Sequence, residues 1–272
     1  ASQADSNANF YLWEPLNHIG GAQIIPMALL SGARVSMTER FSASRFWTEV
    51  IHYGANRIHY LGGILELLLA NVPCENDREH QVTLAFGAGA STSVSAAFTQ
   101  RFGIPLREVY GMTEAASFTT ININGPTGSI GQPLPYFNLS LRDKNDAEVL
   151  NGEVGEIALS CPSVPLLTPR YHQNRKATDA AFREQRFYTG DLAKQDENGY
   201  LFFCGRLKDR IRCKGENVTA ADVESVFNAH PMVVESAVIG FGENSIDQEL
   251  LVFVQLVAER QVQNEQDIQQ EI

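Results

Sequence analysis

Long apolar runs are missing from this chain, and so is any excess of positive charge. The longest apolar stretches, such as Ile64 to Val72, fall far short of the roughly 20 residues that a membrane-spanning helix needs. The opening Ala1-Ser2-Gln3-Ala4-Asp5-Ser6 has no basic-then-apolar pattern, so no secretory signal is read there. Lys and Arg number 21 against 32 Asp and Glu, a net charge of −11. That balance argues against nucleic acid or an anionic membrane as partner, since both reward clustered Lys and Arg. The four cysteines lack Cys-x-x-Cys spacing, so free, mostly buried thiols in a reducing cytoplasm are expected and a zinc site is not. No internal repeat is visible.

What is present is a globular composition, 44% hydrophobic over 272 residues. That length exceeds what one compact core usually serves, and two or three packing units are expected. From about residue 20 to 112 helical and strand patterns alternate. Ala22–Leu30, Ser44–Tyr53, Ile64–Asn71 and Ser93–Phe102 read as helices. Ala33–Met37, Arg57–Tyr60, Val82–Phe86 and Leu106–Tyr110 read as strands. Such alternation implies a mostly parallel sheet covered by helices, with ligands beyond the carboxyl ends of its strands. After about Ile130 short strands at Leu139–Leu141, Gly155–Leu159 and Tyr200–Cys204 are separated by turn clusters, which suggests a small antiparallel unit. A third unit begins near Lys208. There Thr219 caps a helix with Asp222 three residues on, the helix ends at His230-Pro231, and strands follow at Val233–Ile239 and Leu250–Val257. The tail from Glu259 to Ile272 is rich in Gln and Glu and begins another helix. The expected fold class is α/β, with residues 1–129 as the α/β part, 130–207 as the antiparallel β part of the same domain and 208–272 as a partial α+β domain.

Three segments carry chemistry. Tyr188-Thr189-Gly190-Asp191, followed by Gly205-Arg206-Leu207-Lys208-Asp209, puts a carboxylate and an arginine at the two ends of a short hairpin, with Asp191 closing its strand. A ribose diol wants a carboxylate acceptor and a phosphate wants a planar guanidinium donor, so the pair points to a nucleotide. Tyr110-Gly111-Met112-Thr113-Glu114 reads as a strand end turning through Gly111, with a ring to stack on a purine, a hydroxyl for a phosphate and a hard oxygen ligand for Mg²⁺. Gly87-Ala88-Gly89-Ala90 follows a strand and lets backbone approach a flat ligand. It is no dinucleotide fingerprint, since the third glycine and the distal acid are missing. Ser91 to Ser95 reads as a helix start rather than a nucleophile site. His52 and His59 fall in different elements and make no metal pair.

With Lys214-Gly215-Glu216-Asn217-Val218 and Asp222-Val223-Glu224, these segments resemble the acyl-adenylate-forming superfamily of acyl-CoA synthetases, peptide-synthetase adenylation domains and luciferases. The likeness runs from about Phe10 to Val257. Gly215 to Val218 and Ser245-Ile246-Asp247-Gln248-Glu249 look most like crotonobetaine/carnitine-CoA ligases and nearby medium-chain or aryl acyl-CoA ligases.

The resemblance implies roles. Gly87, Ala88, Gly89, Tyr110, Gly111, Met112, Thr113, Asp191 and Arg206 would bind ATP or AMP: adenine on Tyr110, the ribose hydroxyls on Asp191, ribose and phosphate on Arg206, and the α-phosphate on Thr113. Ala88, and the residues after Ala90, depart from the family's usual Gly-Gly-Ala-Pro loop. Glu114 would hold Mg²⁺, and Thr113, Glu114 and Lys208 form the catalytic group, Lys208 being the pivot of the third unit. His18, in an apolar stretch, is equally a satisfied core residue or a group near the acyl carboxylate. Lys214, Gly215 and Glu216 would approach CoA.

The implied reaction is ATP-dependent activation of a small carboxylic acid as acyl-AMP, then transfer to CoA, in the cytoplasm. Two alternatives stand beside it: an adenylation domain that loads a carrier protein's phosphopantetheine, and a non-catalytic nucleotide-binding module. The family's phosphate loop lies upstream of the segment at Phe10 and its catalytic lysine lies near the far C-terminus. The chain is therefore read as a fragment, and little adenylation by these residues alone is expected.

Overall fold

The structure, a computed structural model, describes residues 2–213, 216–228, 230, 232–242 and 248–256. Lys214 and Gly215, the segment Asn244 to Asp247, Pro231 and the Gln-rich tail lie outside the described residues, as do the side chains of Glu216 and Asp222.

A seven-stranded sheet organises the first half. Its strands are β1 (Asn9–Leu12), β2 (Arg34–Met37), β3 (Arg57–Leu61), β4 (Leu84–Ala88), β5 (Leu106–Met112), β6 (Ser117–Ile121) and β7 (Gln132–Pro133). They lie in the order β2-β1-β3-β4-β5-β6-β7. The first five pair in parallel, and β6 and β7 add antiparallel. Helices α1 (Ile19–Ala22), α2 (Ile24–Ser31), α3 (Phe46–Tyr53), α4 (Gly62–Ala70) and α5 (Thr92–Phe102) link them. Gly32, Gly54 and Gly103 end α2, α3 and α5 in the left-handed conformation, which a glycine adopts without Cβ strain. Ser91 caps α5 through the Val94 amide, so the serine-rich stretch is a helix start, as expected.

Strand β1, unassigned in the sequence, is buried along its whole length. Phe10 and Leu12 face one layer with Ile24 and Ala28, while Tyr11 faces the other with Phe46, Val50 and Ile58. A strand covered on both faces loses the polar–apolar alternation that would announce it.

A second sheet follows, with β8 (Asn138–Arg142), β9 (Val154–Ser160), β10 (Phe182–Arg183), β11 (Arg186–Gln195) and β12 (Leu201–Arg206), all antiparallel in the order β10-β11-β9-β8 with β12 on the other side of β11. Helix α6 (Arg175–Ala181) precedes β10. The last described part comprises hairpin β13 (Arg210–Cys213) and β14 (Glu216–Thr219), helix α7 (Ala220–Asn228), and hairpin β15 (Val233–Phe241) and β16 (Glu249–Leu256). Helix α7 begins directly after Thr219 and stops two residues before His230.

None of the four cysteines forms a disulfide, and none is fully buried: Cys74 is exposed and Cys161, Cys204 and Cys213 are partly exposed. The expectation of buried thiols fails because Cys161 and Cys213 sit at strand ends, Cys204 on the edge strand β12 and Cys74 just before the 3₁₀ segment Glu75–Arg78, none of them in the core. Among the described residues no helix is long and apolar enough to cross a membrane.

Candidate active site

The centre of the site is a bulge. Strand β11 runs on through Asp191 rather than closing there, and its register slips between Tyr188 and Leu192 against β9 and between Asp191 and Ala193 against β12. Gly190 sits in the slip at φ 74°, the left-handed conformation in which a glycine bulge re-aims its neighbour. Local polar groups seal it. The Thr189 hydroxyl donates to the Ile157 carbonyl at 3.0 Å and accepts from the Asp191 amide at 3.1 Å, and Glu156 accepts from the Gly190 amide at 3.0 Å. Thr-Gly-Asp is thus one device that turns an aspartate out of a continuous strand.

Asp191 is 3% exposed. The Tyr110 hydroxyl donates to Oδ2 at 2.8 Å, and Arg206 Nε lies 3.2 Å from Oδ1. Burial raises the carboxyl above the usual range, with Asp209 and Glu114 adding to it, against the lowering pull of Tyr110 and Arg206. Burial likewise pushes the Tyr110 phenol up, so it remains a donor. Its ring is 8% exposed and lies 6.3 Å from the Phe203 ring.

Gly111 is not a turn. It lies inside β5, beside a register slip against β6, where any Cβ would stand 1.7 Å from the Ser117 carbonyl oxygen. The turn comes later, as a 3₁₀ segment at Thr113–Ala115, because only past Met112 does the chain leave that close pairing. Glu114 is anchored there: Tyr171 donates its hydroxyl to Oε1 at 2.9 Å, and the Thr168 amide donates to the Glu114 carbonyl at 2.6 Å. The Tyr171 phenol is pushed up to about 12, by burial first and by Glu114 next.

A cleft of about 460 Å³ gathers Met112, Glu114, Tyr171, Thr189, Asp191, Arg206 and Lys208. Thus four stretches distant in sequence meet: 112–114, Tyr171, 187–191 and 206–208. Lys208 is exposed, in the 3₁₀ turn Leu207–Asp209. Thr113 and Gly89 are exposed and Gly87 is buried, and none of the three lines the cleft. Gly87 belongs to β4, where a Cβ would stand 1.9 Å from the Tyr60 carbonyl oxygen, so its first duty is strand packing. The bend comes at Gly89, φ 85°. Half-buried Glu108 holds that bend, accepting from the Gly89 and Ala90 amides at 2.5 and 3.3 Å and from the Tyr60 hydroxyl at 2.6 Å.

A smaller cavity of about 90 Å³ adjoins, sharing Met112 and lined also by His18, Gly20, Gln23, His59, Ala88, Gly111 and Ser117. Beside it Glu14, 4% exposed, lies between two imidazoles. One oxygen is against His18 Nδ1, the other 2.9 Å from His59 Nδ1. The second contact is close but off ideal hydrogen-bond alignment. Burial works against the Glu14 charge, but His59 and His18 outweigh it and hold the carboxyl below its usual range. A Cβ on Gly20 would strike this carboxylate at 2.4 Å, which accounts for the glycine. Glu14, Gln23, Glu108 and Tyr171 were not singled out in the sequence, and His59 was set aside. The available signals were an acid after the apolar run Phe10–Trp13 and a histidine at an inward position of a buried strand.

Residues 2–168 match the family model described as AMP-binding enzyme. The steroid-22-oyl-CoA synthetase of Rhodococcus jostii (strain RHA1) is 30% identical over 92% of this chain and 45% of its own length. A crotonobetaine/carnitine-CoA ligase of Escherichia coli O7:K1 is 30% identical over 89% of this chain and 48% of its own. The chain spans about half the length of the curated relatives it matches. Among solved structures, a benzoate CoA ligase from Burkholderia xenovorans LB400 shares the fold with a TM-score of 0.84 at 22% identity, over 98% of this chain and 54% of that one. The O-succinylbenzoate CoA synthetase of Bacillus subtilis, solved in complex with ATP and magnesium ion, aligns with a TM-score of 0.79 at 25% identity, over 92% of this chain and 52% of that one.

Proposed function

The chain belongs to the AMP-binding enzyme family, and on that footing we propose that it forms the nucleotide-binding part of an acyl-CoA ligase. The overall reaction joins a carboxylic acid to ATP as acyl-AMP with loss of pyrophosphate, then transfers the acyl group to the thiol of CoA with loss of AMP. The observation that carries the reading is the convergence of Asp191, Arg206 and Glu114 on one cleft. The curated relatives named above, all CoA ligases or synthetases, favour CoA over a carrier protein as acceptor.

Asp191 accepts the ribose hydroxyls, exchanging its bond from Tyr110 or Arg206 for bonds from the sugar. Tyr110 flanks the adenine, with Gly87, Ala88 and Gly89 as the loop on its other side. Arg206 and Thr113 hold the α-phosphate. The residues fit a metal in a limited way. Glu114 offers one oxygen to the cleft, and among the described residues no group of three His, Cys, Asp or Glu forms a protein-only cage. One carboxylate plus substrate phosphates is the usual way Mg²⁺ is held. Bound there it would neutralise charge on the phosphates. The acid's carboxylate enters past Met112, which faces both cavities, with His18 at its flank. No enzyme nucleophile is required: positioning and preorganised charge lower the barrier. Lys208, exposed at the junction after β12, is the pivot by which the residues from 208 onward exchange positions between the two steps, and Lys214, Gly215 and Glu216 would then approach CoA.

Calorimetric titration with AMP tests the reading. Binding that is abolished by Asp191→Ala is expected. A folded chain that binds no AMP overturns it.

A further inference from the structure

The small cavity has a polar wall that nucleotide binding does not use. Gln23 is 8% exposed and links α1 to α2. Its side-chain carbonyl accepts from the Ser117 hydroxyl, while its amide nitrogen, fully buried, has no hydrogen-bond partner. An unpaired interior N–H₂ is the kind of exception that calls for an explanation, since buried donors are almost always satisfied. The neighbouring acid does not supply one: both oxygens of Glu14 lie on His18 and His59. The amide is also held in place. Ser117 has φ 87° and Ala116 φ 51°, left-handed values for residues with a Cβ, so a constrained backbone aims the hydroxyl that fixes Gln23. Gln23 and Ser117 both line the cavity.

Size narrows the ligand. The cavity's 90 Å³ is about three times the roughly 30 Å³ share of one liquid water, and well below the roughly 300 Å³ at which pockets for drug-sized ligands begin. Steroid, long alkyl or fused-ring acids do not fit it. Charge narrows it further, because the Glu14 carboxylate beside the cavity disfavours a second anion.

We propose that Gln23 is a specificity-determining residue, and that the cavity takes a short acyl chain carrying a neutral oxygen acceptor, a keto or hydroxy oxygen, onto the Gln23 amide. The proposal rests on reading the adjoining cleft as the acyl-adenylate site, since Met112 joins the two.

The test uses unreactive AMP esters titrated into the full chain by calorimetry: butyl- and pentyl-AMP against 3-oxobutyl- and 4-oxopentyl-AMP, beside AMP alone. At one chain length or both, the oxo ester is expected to bind roughly 5- to 10-fold tighter than its alkyl counterpart, the gain from one neutral hydrogen bond. Gln23→Met and Gln23→Glu, which keep the side chain's size but lack the N–H₂, should each reduce that preference to less than about twofold, again by the loss of one hydrogen bond. AMP binding by each variant reports that it is folded. Equal binding of oxo and alkyl esters at both lengths overturns the proposal while leaving the nucleotide reading intact, and so does a preference that survives in both variants. Failure of AMP itself to bind overturns the nucleotide reading and the proposal with it.

Discussion

Asp191 and Arg206 are direct partners across β11 and β12, and Arg206 Nε stands 3.2 Å from Asp191 Oδ1. The arginine side chain is 55% exposed and the aspartate side chain 5%. The pair therefore joins a buried acceptor to a solvated donor, an arrangement that can open for a ligand without unfolding the strand. Arg206 screens the carboxylate from one side only, and burial still dominates its titration.

That balance separates stability from binding at Asp191. Its folded pKa is raised, so its contribution to stability is complete below the ordinary value of 3.8 and is lost as pH rises through the higher folded value. Asp191→Asn carries no such penalty. Its melting temperature is expected to gain on the wild type as pH rises from about 4 to 7, while AMP affinity falls roughly 10-fold or more through loss of a charged acceptor. A variant that loses stability more at pH 7 than at pH 4 contradicts the assignment of burial as the main cause.

The glycines of β5 and α4 give opposite expectations. Gly111→Ala places a Cβ 1.7 Å from the Ser117 carbonyl oxygen, which is backbone and cannot step aside without breaking the β5–β6 pairing. The cost should lie in the extreme tail, above roughly 4 kcal/mol. Gly63 sits in α4 with no atom within 4 Å of its absent Cβ, so Gly63→Ala should stabilise by about 0.5–1 kcal/mol. Urea midpoints of the two variants check both.

The alternation of helices and strands was legible because helices such as α3 bury one face, with Phe46, Trp47 and Val50, and several end in glycine: Gly32, Gly54 and Gly103 all adopt positive φ. The mostly parallel sheet and the antiparallel unit followed from that pattern and from the turn clusters. The pairing of Asp191 with Arg206 was legible as a motif, but the bulge at Gly190 was not. A register slip is decided by two neighbouring strands at once, and β9 lies far away in sequence. Glu14 and His59 escaped notice for the same reason: the carboxylate and the ring meet only after β3 docks beside β1. Gly111 was misplaced because its need for close approach to Ser117 looks, in one dimension, like a need for a turn.

Tyr171 and Glu114 should act as a unit in metal-dependent binding. With its phenol pushed up to about 12, Tyr171 stays a donor across the working range and holds Glu114 Oε1. Glu114→Gln is expected to remove the gain in ATP affinity that Mg²⁺ confers, and Tyr171→Phe to reduce it roughly 10-fold, as loss of a partner behind a metal ligand does. Neither change should alter binding of metal-free AMP. Titrations of ATP with and without Mg²⁺ decide it, and a Glu114→Gln variant with an undiminished Mg²⁺ effect removes Glu114 from the metal site.

Glu14 carries the opposite pH signature to Asp191. Its carboxyl is held below the usual 4.5 because His59 and His18 outweigh the burial penalty. The contribution is therefore present above 4.5 and is lost as pH falls through the lower folded value. Glu14→Gln keeps the shape against Gly20 but removes the carboxylate that both imidazoles face. The wild type should be more stable than Glu14→Gln near pH 6, and the gap between their melting temperatures should close as pH falls below about 4. A gap that widens in acid would mean that burial, not the histidines, controls this carboxylate. The charge beside the small cavity would then be weaker than the exclusion of anionic acyl chains requires.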